Sequence, residues 1–559
     1  MTESGGDAKL DRTIHVLNRL AFGPRPGDVE HVRAIGPERY VHQQLYPELI
    51  PIPDDVVERI GAYRTLHMTP VALFVEYQRP IMMEQKNLKQ RNAKTDASVK
   101  DAANDAIKDA RIKQRVVLRE AVEARMIRAI EGPRQLQEVM TAFWFNHFNI
   151  FGGKGLDNVW TGAFEENAIR PHTMGKFRAL LGATAHHPAM LFYLDNWQNT
   201  APGSPGSKGK FERVKFEGIN ENYARELMEL HTLGVGGGYS QADVIALAHI
   251  LTGWGIPRPR DERGLGGASP QFGPFGFRHR NFMRRSPIAV DPSGFFFDST
   301  RHDFSSKTFL GHRIDGAGIA EGERSLDILA RSPATANHLS FKLAQYFVAD
   351  DPPKSLTTRM AERYLASDGD IRAVLTTMFT SAEFWDPRCY GAKFKTPYEY
   401  VVSCVRAVGV PVRNYRPLYG TMQLLGMPIY GCLTPNGYAN TQDAWLNPDA
   451  MMTRLSFATA LGSGNLPLEN SPFEEDADGN PRYIDRRPVV SRKSEARVNI
   501  KFDSDPSRPH GPKMTPPDPA QLAATLGEYF SATTANAVEA SPAQLRAPLI
   551  LGSPEFMKR

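Results

Sequence analysis

Residues 220–234 constrain the fold of this chain more than any other stretch. Their sequence, NENYARELMELHTLG, spaces polar and apolar positions as an α-helix does before glycines end the pattern. At about 100° per residue, one face of that helix carries Asn222, Arg225, Glu226 and Glu229, and another carries Tyr223, Leu227 and Leu230. We call residues 220–234 the central helix. Ion pairs spaced i,i+4 are typical of a solvated face, so the rest of the chain decides whether this face points outward.

The composition is that of a globular protein without a membrane span. The 559 residues are 41% hydrophobic and 23% charged, and the formal net charge is +5. So small a surplus gives no case for a nucleic-acid partner. Residues 1–11 are polar with no apolar segment after them, and no window approaches the ~18 apolar residues of a membrane helix. We therefore expect a soluble protein, cytoplasmic as the sequence is written, and periplasmic or secreted if the sequence is a trimmed mature form.

Helical periodicity dominates the chain and predicts a mainly α fold, with one large multi-helix domain and one small β-hairpin insertion. The predicted helical core covers residues 1–470, including an exposed basic helical arm at about 80–115 and an irregular loop at about 256–294. Residues 471–519 are rich in proline and charge, as in a surface excursion or linker. Residues 520–559 return to helical periodicity, and we expect them to pack back on the core.

The β-hairpin is predicted from two short segments around a polar one. Residues 295–297 and 307–311 flank Arg301, His302 and Asp303. We expect the two flanking segments to pair with each other. His302 and Asp303 would then lie at the polar tip.

A buried helix is predicted at residues 136–151, which include MTAFWFNHFN at 140–149. So many aromatic and apolar side chains exclude a helix that faces water all round. Asn146 and His147 are then polar groups in an apolar environment, and each needs a hydrogen-bond partner. For His147, a satisfied core histidine and a ligand or acid/base group are both open interpretations.

The commonest catalytic motifs are missing from the sequence. It has no G-x-G-x-x-G that opens a helix after a strand, no Walker loop, no H-E-x-x-H and no G-x-S-x-G. What remains is a set of carboxylates, histidines and amides embedded among aromatic residues. Paired carboxylates in a partly apolar cleft can act as acid and base on a glycan, with Trp and Tyr against a sugar ring. Alternatively, His and carboxylate side chains can bind a divalent metal that activates water.

The metal alternative uses the candidate ligands His147, Glu226, His231 and His302. His231 falls about 140° from Glu226 around the helix axis, so the two could share a metal only if the helix unwinds near Thr232. The carboxylate alternative requires no cofactor. A third hypothesis is non-catalytic: a large helical protein with buried polar networks that fix its packing, or an assembly partner.

Motifs along the chain, taken in order, resemble a large and mostly bacterial family known only as domain of unknown function eighteen hundred. They are LNRLAFG at 17–23, FWFNHF at 143–148, HPAM at 187–190, LDN at 194–196, the central helix, LTGW at 251–254, HD at 302–303 with Lys307, and SPEF at 553–556. The resemblance spans nearly the whole chain. It implies a helical protein, commonly exported and encoded beside a sulfatase-like protein, and hence work on an envelope or extracellular polymer.

We therefore predict a cleft between the central helix, the helix containing 143–148 and the His302-Asp303 tip, with the polar face of the central helix turned inward. The predicted function is that of a hydrolase or transferase acting on a polysaccharide-like polymer. Its substrate would be a polymer or a small molecule, and the sulfatase-like neighbour is a candidate partner. The predicted catalytic residues are Glu226, Glu229, Asp303 and His302. The predicted substrate-binding residues are His147, Asn146, Trp144, Asp195, Asn222, Arg225, Trp254 and Lys307.

Overall fold

The computed structural model describes residues 3–90, 97–204, 218–256, 293–469, 473–475, 481–483, 514–527 and 530–559. Within these ranges the fold is mainly α with small two-stranded sheets, which confirms the predicted fold class. The predicted irregular loop at 256–294 and the proline-rich excursion at 471–519 lie largely outside the described residues. In the part of the chain that is described, every helix is too short or too polar to cross a lipid bilayer.

The N-terminal helices follow the glycine and proline punctuation of the sequence. They are α1 (Glu3–Leu20), α2 (Asp28–Ile35), α3 (Pro37–Leu45), α4 (Asp54–Gly61), α5 (Pro70–Leu73), α6 (Arg79–Gln90) and α7 (Ala97–Glu131). Gly27 and Gly36, with φ of 89° and 90°, precede α2 and α3 in conformations that glycine adopts at low cost. In α7, Met126 and Ile127 are buried, whereas most residues from 100 to 115 are exposed.

The aromatic helix is buried, as predicted. It is α8 (Gln135–His147), in which Trp144 is fully buried and Phe143 is 2% exposed. Next come α9 (Asp157–Phe164), α10 (Phe177–His186) and α11 (Pro188–Tyr193), and π-helical turns at Phe74–Gln78 and Glu165–Ile169 continue α5 and α9. Short 3₁₀ turns lie at Pro47–Leu49, Arg64–His67, Arg170–His172, Asn196–Gln198, Pro387–Cys389 and Gln442–Ala444.

The central helix is shorter than its sequence pattern. Its α-helical part is α12 (Asn222–Glu229), and the chain turns at Gly234, where φ is 83° and a Cβ would lie 2.9 Å from His338 Nδ1. The next helix, α13 (Gln241–Ile250), begins with a capping box. In it the Ser240 hydroxyl accepts the Asp243 N–H, and the Asp243 carboxylate accepts the Ser240 N–H. Helices α12 and α13 pack against each other.

The strands pair differently from the prediction. β1 (Trp254–Gly255) pairs antiparallel with β2 (Phe296–Phe297), and β3 (Lys307–Phe309) pairs antiparallel with β4 (His312–Ile314). The predicted pairing of 295–297 with 307–311 is therefore wrong, although a hairpin is present. Leu310 and Gly311 both have positive φ, so a two-residue turn returns the chain at once and β3 pairs with the segment that follows it. A third sheet pairs β5 (Phe473–Glu475) with β6 (Pro481–Tyr483).

The C-terminal half adds the remaining helices to the same core. They are α14 (Ile319–Ala330), α15 (Pro333–Phe347), α16 (Lys354–Ala366), α17 (Ile371–Phe379), α18 (Pro397–Val408), α19 (Arg416–Leu424), α20 (Pro448–Gly462), α21 (Pro519–Thr525), α22 (Ala532–Ala540) and α23 (Ala543–Leu551). Buried apolar side chains from Ile14 to Met557 form one continuous cluster. Within it α23 packs on α20, and the Tyr400 hydroxyl donates to the Leu551 carbonyl at 3.0 Å.

Candidate functional site

The structure places the predicted site residues in separate surroundings. Glu226, Glu229, Asn222, Arg225 and Asp195 lie in or beside a cavity at α12. Asp303, His302 and Lys307 belong to a polar network beside the β3–β4 hairpin, and His147 and His231 lie in a basic group. Among the described residues, side-chain hydrogen bonds and ion pairs link members within each of these groups but do not link one group to another. The single predicted cleft is thus divided.

The cavity at α12 has a volume of about 410 Å³. Its lining comes from the loop after α8, the end of α11, α12 and the loop between α19 and α20. The lining residues are Phe151, Lys154, Tyr193, Leu194, Asn222, Glu226, Leu433 and Pro435. Aromatic rings, a cation, a carboxamide and a carboxyl group therefore meet in one concavity, a combination typical of sites that bind polar small molecules.

The polar face of α12 lies at the surface of this cavity rather than inside the core. Asn222 is exposed, and Arg225, Glu226 and Glu229 are partly buried, whereas Tyr223 on the opposite face is 1% exposed. The prediction that the polar face points inward is therefore wrong. The apolar face turns inward instead, because burying it removes the most hydrophobic surface from water.

The carboxamides of Asn220 and Asn222 connect the start of the central helix to the turn after α11. Asn220 Nδ2 donates to the Asp195 carbonyl and Asn222 Nδ2 donates to the Leu194 carbonyl, each at 3.2 Å. These bonds hold the turn after α11, where Asp195 takes the left-handed conformation at φ 59°. Aspartate is one of the few residue types other than glycine that tolerate this conformation. The turn presents Leu194 to the cavity and the Asp195 carboxylate to Lys154.

Lys154 is the cation of the cavity and was not predicted as a site residue. Its Nζ lies 3.1 Å from both carboxylate oxygens of Asp195 and donates to the Tyr193 carbonyl at 2.5 Å. The signal in the sequence was a single lysine in the run GGKG at 152–155 between two apolar helices. Gly155, with φ of 48°, gives the backbone the turn that brings the lysine to the cavity.

Glu226 and Glu229 lie on the same face of α12 but in different surroundings. Burial, and then the negative charge of Glu229, raise the pKa of Glu226. Glu229 lies 3.6 Å from Arg225 Nη1 and shares a hydrogen bond with the Tyr239 hydroxyl; burial, followed by this hydrogen bond, raises the pKa of Tyr239 to about 12. Arg225 is also paired with Glu221 at 3.0 Å. Glu226 is therefore the carboxyl group of this face that is favoured in its protonated form.

Asp157 is a second carboxyl group near the cavity that was not predicted. Its side chain is fully buried at the start of α9, and neither carboxylate oxygen has a hydrogen-bond partner among the described residues. Burial raises the pKa of Asp157 well above its usual value; Lys154 opposes this shift and Asp195 adds to it. A protonated Asp157 avoids placing an unpaired charge in the interior.

Both ring nitrogens of His302 have partners in a buried hydrogen-bond network. Its Nδ1 lies 2.8 Å from the Thr252 carbonyl and its Nε2 lies 2.8 Å from Glu321 Oε1, while Lys307 Nζ donates to Glu321 Oε2 at 2.8 Å. The His302 and Glu321 side chains have no exposed surface. Burial would raise the pKa of Glu321, but the hydrogen bonds from His302 and Lys307 lower it. This network ties the segment between β2 and β3 to α14.

Asp303 pairs with His249 and not with its chain neighbour His302. Asp303 Oδ2 lies 2.6 Å from His249 Nδ1 at the end of α13, and Oδ1 accepts the Ser305 N–H at 2.9 Å. Burial would raise the pKa of Asp303, but the Ser305 hydrogen bonds and then Lys307 and His249 lower it. Both members of the His249–Asp303 pair are partly exposed, so this pair, unlike His302, can reach solvent. His249 was not predicted, because nothing in its own helix marks it.

The buried His147 and His231 lie with the partly buried His338 and Lys342 in one basic group. His147 Nε2 lies 3.1 Å from the His231 carbonyl, and its ring centroid lies 6.1 Å from that of His231 and 6.3 Å from that of His338. Burial, then Lys342, lower the pKa of His231 to about 3 and that of His338 to about 4. These histidines are therefore neutral in the folded protein at physiological pH.

The four candidate metal ligands are not brought together. His147 and His231 belong to the basic group, His302 to the Glu321 network and Glu226 to the cavity. In the described part of the chain, no three His, Cys, Asp or Glu side chains are placed to hold one metal ion. Metal dependence stays a prediction, and this geometry gives it no support.

The other predicted binding residues make structural contacts. Trp144 is fully buried and its Nε1 donates to the Thr173 carbonyl at 2.9 Å. Trp254 is also fully buried and stacks on His186 with ring centroids 4.8 Å apart. Asn146 Nδ2 donates to the Tyr438 carbonyl at 2.8 Å, and its Oδ1 accepts the Tyr438 N–H at 2.7 Å. The polar side-chain atoms of Trp144 and Asn146 are thus satisfied by the protein itself, whereas His147 Nδ1 and Trp254 Nε1 are buried without a hydrogen-bond partner among the described residues.

Comparison with known proteins identifies a family but no activity. Residues 15–558 match the family model described as "Protein of unknown function (DUF1800)". A search of curated proteins finds no match. A search of solved structures likewise finds no match.

Proposed function

The chain belongs to the DUF1800 family of proteins of unknown function, and from its own site we propose that it is a hydrolase or transferase acting on a polysaccharide-like polymer. Glu226 is the proposed proton donor. The cavity of about 410 Å³ at α12 is the proposed binding site for one sugar-sized unit of the polymer.

One observation carries this proposal: Glu226 faces the cavity as a partly buried carboxyl group with a raised pKa. It makes no hydrogen bond or ion pair with another described side chain, whereas Glu229 is held by Arg225 and Tyr239. A carboxyl group whose pKa is raised can act as a general acid and protonate a leaving oxygen. Glu229 lies outside the cavity lining and acts through Glu226, because its charge favours the protonated form.

The rest of the cavity suits a hydroxyl-rich substrate. Tyr193 and Phe151 offer aromatic rings for the apolar face of a sugar, and the Asn222 carboxamide offers hydrogen bonds. Asp195, held 3.1 Å from Lys154 beside the cavity, is the second carboxylate and the candidate base or nucleophile. Glycoside-acting enzymes commonly need such a pair, one carboxyl group as acid and the other ionised.

The test measures turnover of a panel of soluble glycans. Hydrolysis is detected by the release of reducing ends, and transfer is detected by mass spectrometry. On a glycan that the wild type converts, we expect Glu226→Gln to lower kcat by about 10²-fold or more, the usual contribution of a general acid. Asp195→Asn should give a comparable loss. Glu221→Gln, at the N-cap of α12 but outside the cavity lining, is the matched control and should stay within about twofold of the wild type.

The pH profile gives an independent readout. Activity requires protonated Glu226 and so falls as pH rises through its pKa, which Glu229 helps to raise. Glu229→Gln should therefore move the alkaline limb of kcat/KM to lower pH. Full turnover by a folded Glu226→Gln variant would contradict the role of Glu226. If the wild type neither binds nor converts any glycan of the panel, the proposed substrate class is wrong.

A further inference from the structure

A second concavity lies between α6 and α7, with a volume of about 750 Å³. We call it the α6–α7 groove. Its lining residues are Gln85, Leu88, Asn104, Ile107, Lys108, Arg111, Ile112 and Arg115. At one end of α6, Gln114 of α7 donates a hydrogen bond to Gln78, which joins the two segments side by side. This groove shares no residue with the cavity at α12.

The charge of the groove is one-sided. Lys108, Arg111 and Arg115 follow one another at i, i+3 and i+7, so all three lie on one face of α7 and all three are exposed. Within the described ranges none of them has a hydrogen-bond or ion-pair partner, and the groove lining contains no carboxylate. Of the acidic residues of this stretch, Asp109 falls about 100° from Lys108 around the helix axis, Asp105 about 60° and Asp101 about 20°, and none of the three lines the groove.

This arrangement is unfavourable for an isolated helix. Arg111 and Arg115 stand at i,i+4, where like charges repel each other. A surface helix usually places an acid at such a position, as Glu123 does for Arg119 further along α7. The groove instead carries three cations that have no ion-pair partner among the described residues. A negatively charged occupant would remove that repulsion.

Apolar side chains accompany the cations. Leu88 and Ile107 lie inside the groove and Ile112 is 52% exposed at its edge. Met82 and Met83, within one turn of Gln85 on α6, are 38% and 43% exposed. Exposed apolar groups of this size, rimmed by charge, mark interaction surfaces more often than bare solvent-facing helices.

We propose that the α6–α7 groove binds an amphipathic acidic helix of a partner protein. Carboxylates at i, i+3 or i+4 and i+7 of such a helix match the spacing of Lys108, Arg111 and Arg115, and its apolar face covers Ile112 and Leu88. A groove between two helices accepts a third helix lengthwise, which is a recurrent mode of peptide recognition. A duplex nucleic acid would leave the apolar strip uncovered, and a flat lipid surface would not enter the concavity.

The probe is a fluorescein-labelled peptide of about five helical turns with Glu and Leu at helical spacing, titrated with the full chain by fluorescence anisotropy. Its comparison is the same peptide with Lys in place of Glu. The test variant is Lys108→Glu/Arg111→Glu. Lys113→Glu is the matched control, since Lys113 is an exposed cation of the same helix outside the groove lining. All three positions are exposed, and circular dichroism verifies that the variants fold.

We expect the Glu/Leu peptide to bind the wild type and Lys113→Glu with affinities within about twofold. Lys108→Glu/Arg111→Glu should bind it at least about tenfold more weakly, and binding should weaken as salt rises. Three outcomes would overturn the proposal: no binding by the wild type, equal loss in Lys113→Glu, or equal binding of the Lys/Leu peptide. Competition by a DNA duplex or by phosphatidylglycerol vesicles at the same affinity would also overturn it, in favour of a general anion surface.

Discussion

His187 is expected to make the protein less stable in mild acid. Its Nδ1 accepts the Ala189 N–H at 3.2 Å and so caps α11, while its Nε2 has no partner among the described residues. An accepting ring nitrogen carries no proton. Burial lowers the pKa of His187 from 6.5 to about 3, so the folded protein keeps the ring neutral.

The size of the effect follows from proton linkage. The unfolded chain binds a proton at His187 near pH 6.5, whereas the folded protein does so only near pH 3. Between these values the unfolded state holds more protons, so the stability that is present above pH 6.5 is lost as pH falls. At about 1.4 kcal/mol per pH unit, lowering the pH from 7.5 to 5.0 covers roughly 1.5 units below the unfolded pKa and costs about 2 kcal/mol.

The variant for this test is His187→Asn. Asparagine retains an oxygen that accepts the Ala189 N–H at the helix N-cap, but it does not titrate. Urea unfolding of both proteins at pH 7.5 and 5.0 gives four free energies of unfolding. Losing the ring contact with Phe164, whose centroid lies 5.2 Å away, lowers the stability of the variant at both pH values. This loss cancels when the stability change of the variant between pH 7.5 and 5.0 is subtracted from that of the wild type, and we call the result the second difference.

We expect this second difference to be about 2 kcal/mol, with the wild type losing more stability than His187→Asn on acidification. The exposed His312, replaced by Asn in the same way, provides the comparison for a solvent-facing ring. A second difference near zero for His187→Asn, or one of opposite sign, would refute the reasoning from burial.

Two further predictions concern packing and buried charge. A Cβ at Gly322 would lie 2.0 Å from Cζ2 of the fully buried Trp254, so Gly322→Ala should cost about 1–3 kcal/mol or more. Gly420, in α19, has open space around it, so Gly420→Ala should be neutral or stabilising by up to about 1 kcal/mol; equal thermal midpoints for the two variants would contradict the overlap. Lys307→Met removes one partner of the buried Glu321 and should cost about 3–5 kcal/mol in urea unfolding. Adding Glu321→Gln should recover part of that loss, and a double variant no better than the single one would exclude the charge explanation.

Much of the local structure could be predicted from the sequence alone. The 3.6-residue period identified α8 as buried and separated the two faces of α12, and Ser240 marked the start of α13. These features depend on neighbours within one or two turns, since side-chain direction and N-cap hydrogen bonds are set by nearby backbone. For the same reason the mainly α fold could be predicted.

The assembly of the site was decided only by the tertiary structure. Asp303 could have faced many groups, and it lies beside His249, which is far from it in the sequence. Lys154 and Tyr193 reach the cavity with Glu226 because separate helices pack around it, and nothing in their own segments specifies that meeting. Periodicity tells which residues share a face, but the partner of that face is chosen by long-range packing. Burying the apolar side of α12 was favourable enough to leave its polar side at the surface, where Glu226 lines a cavity.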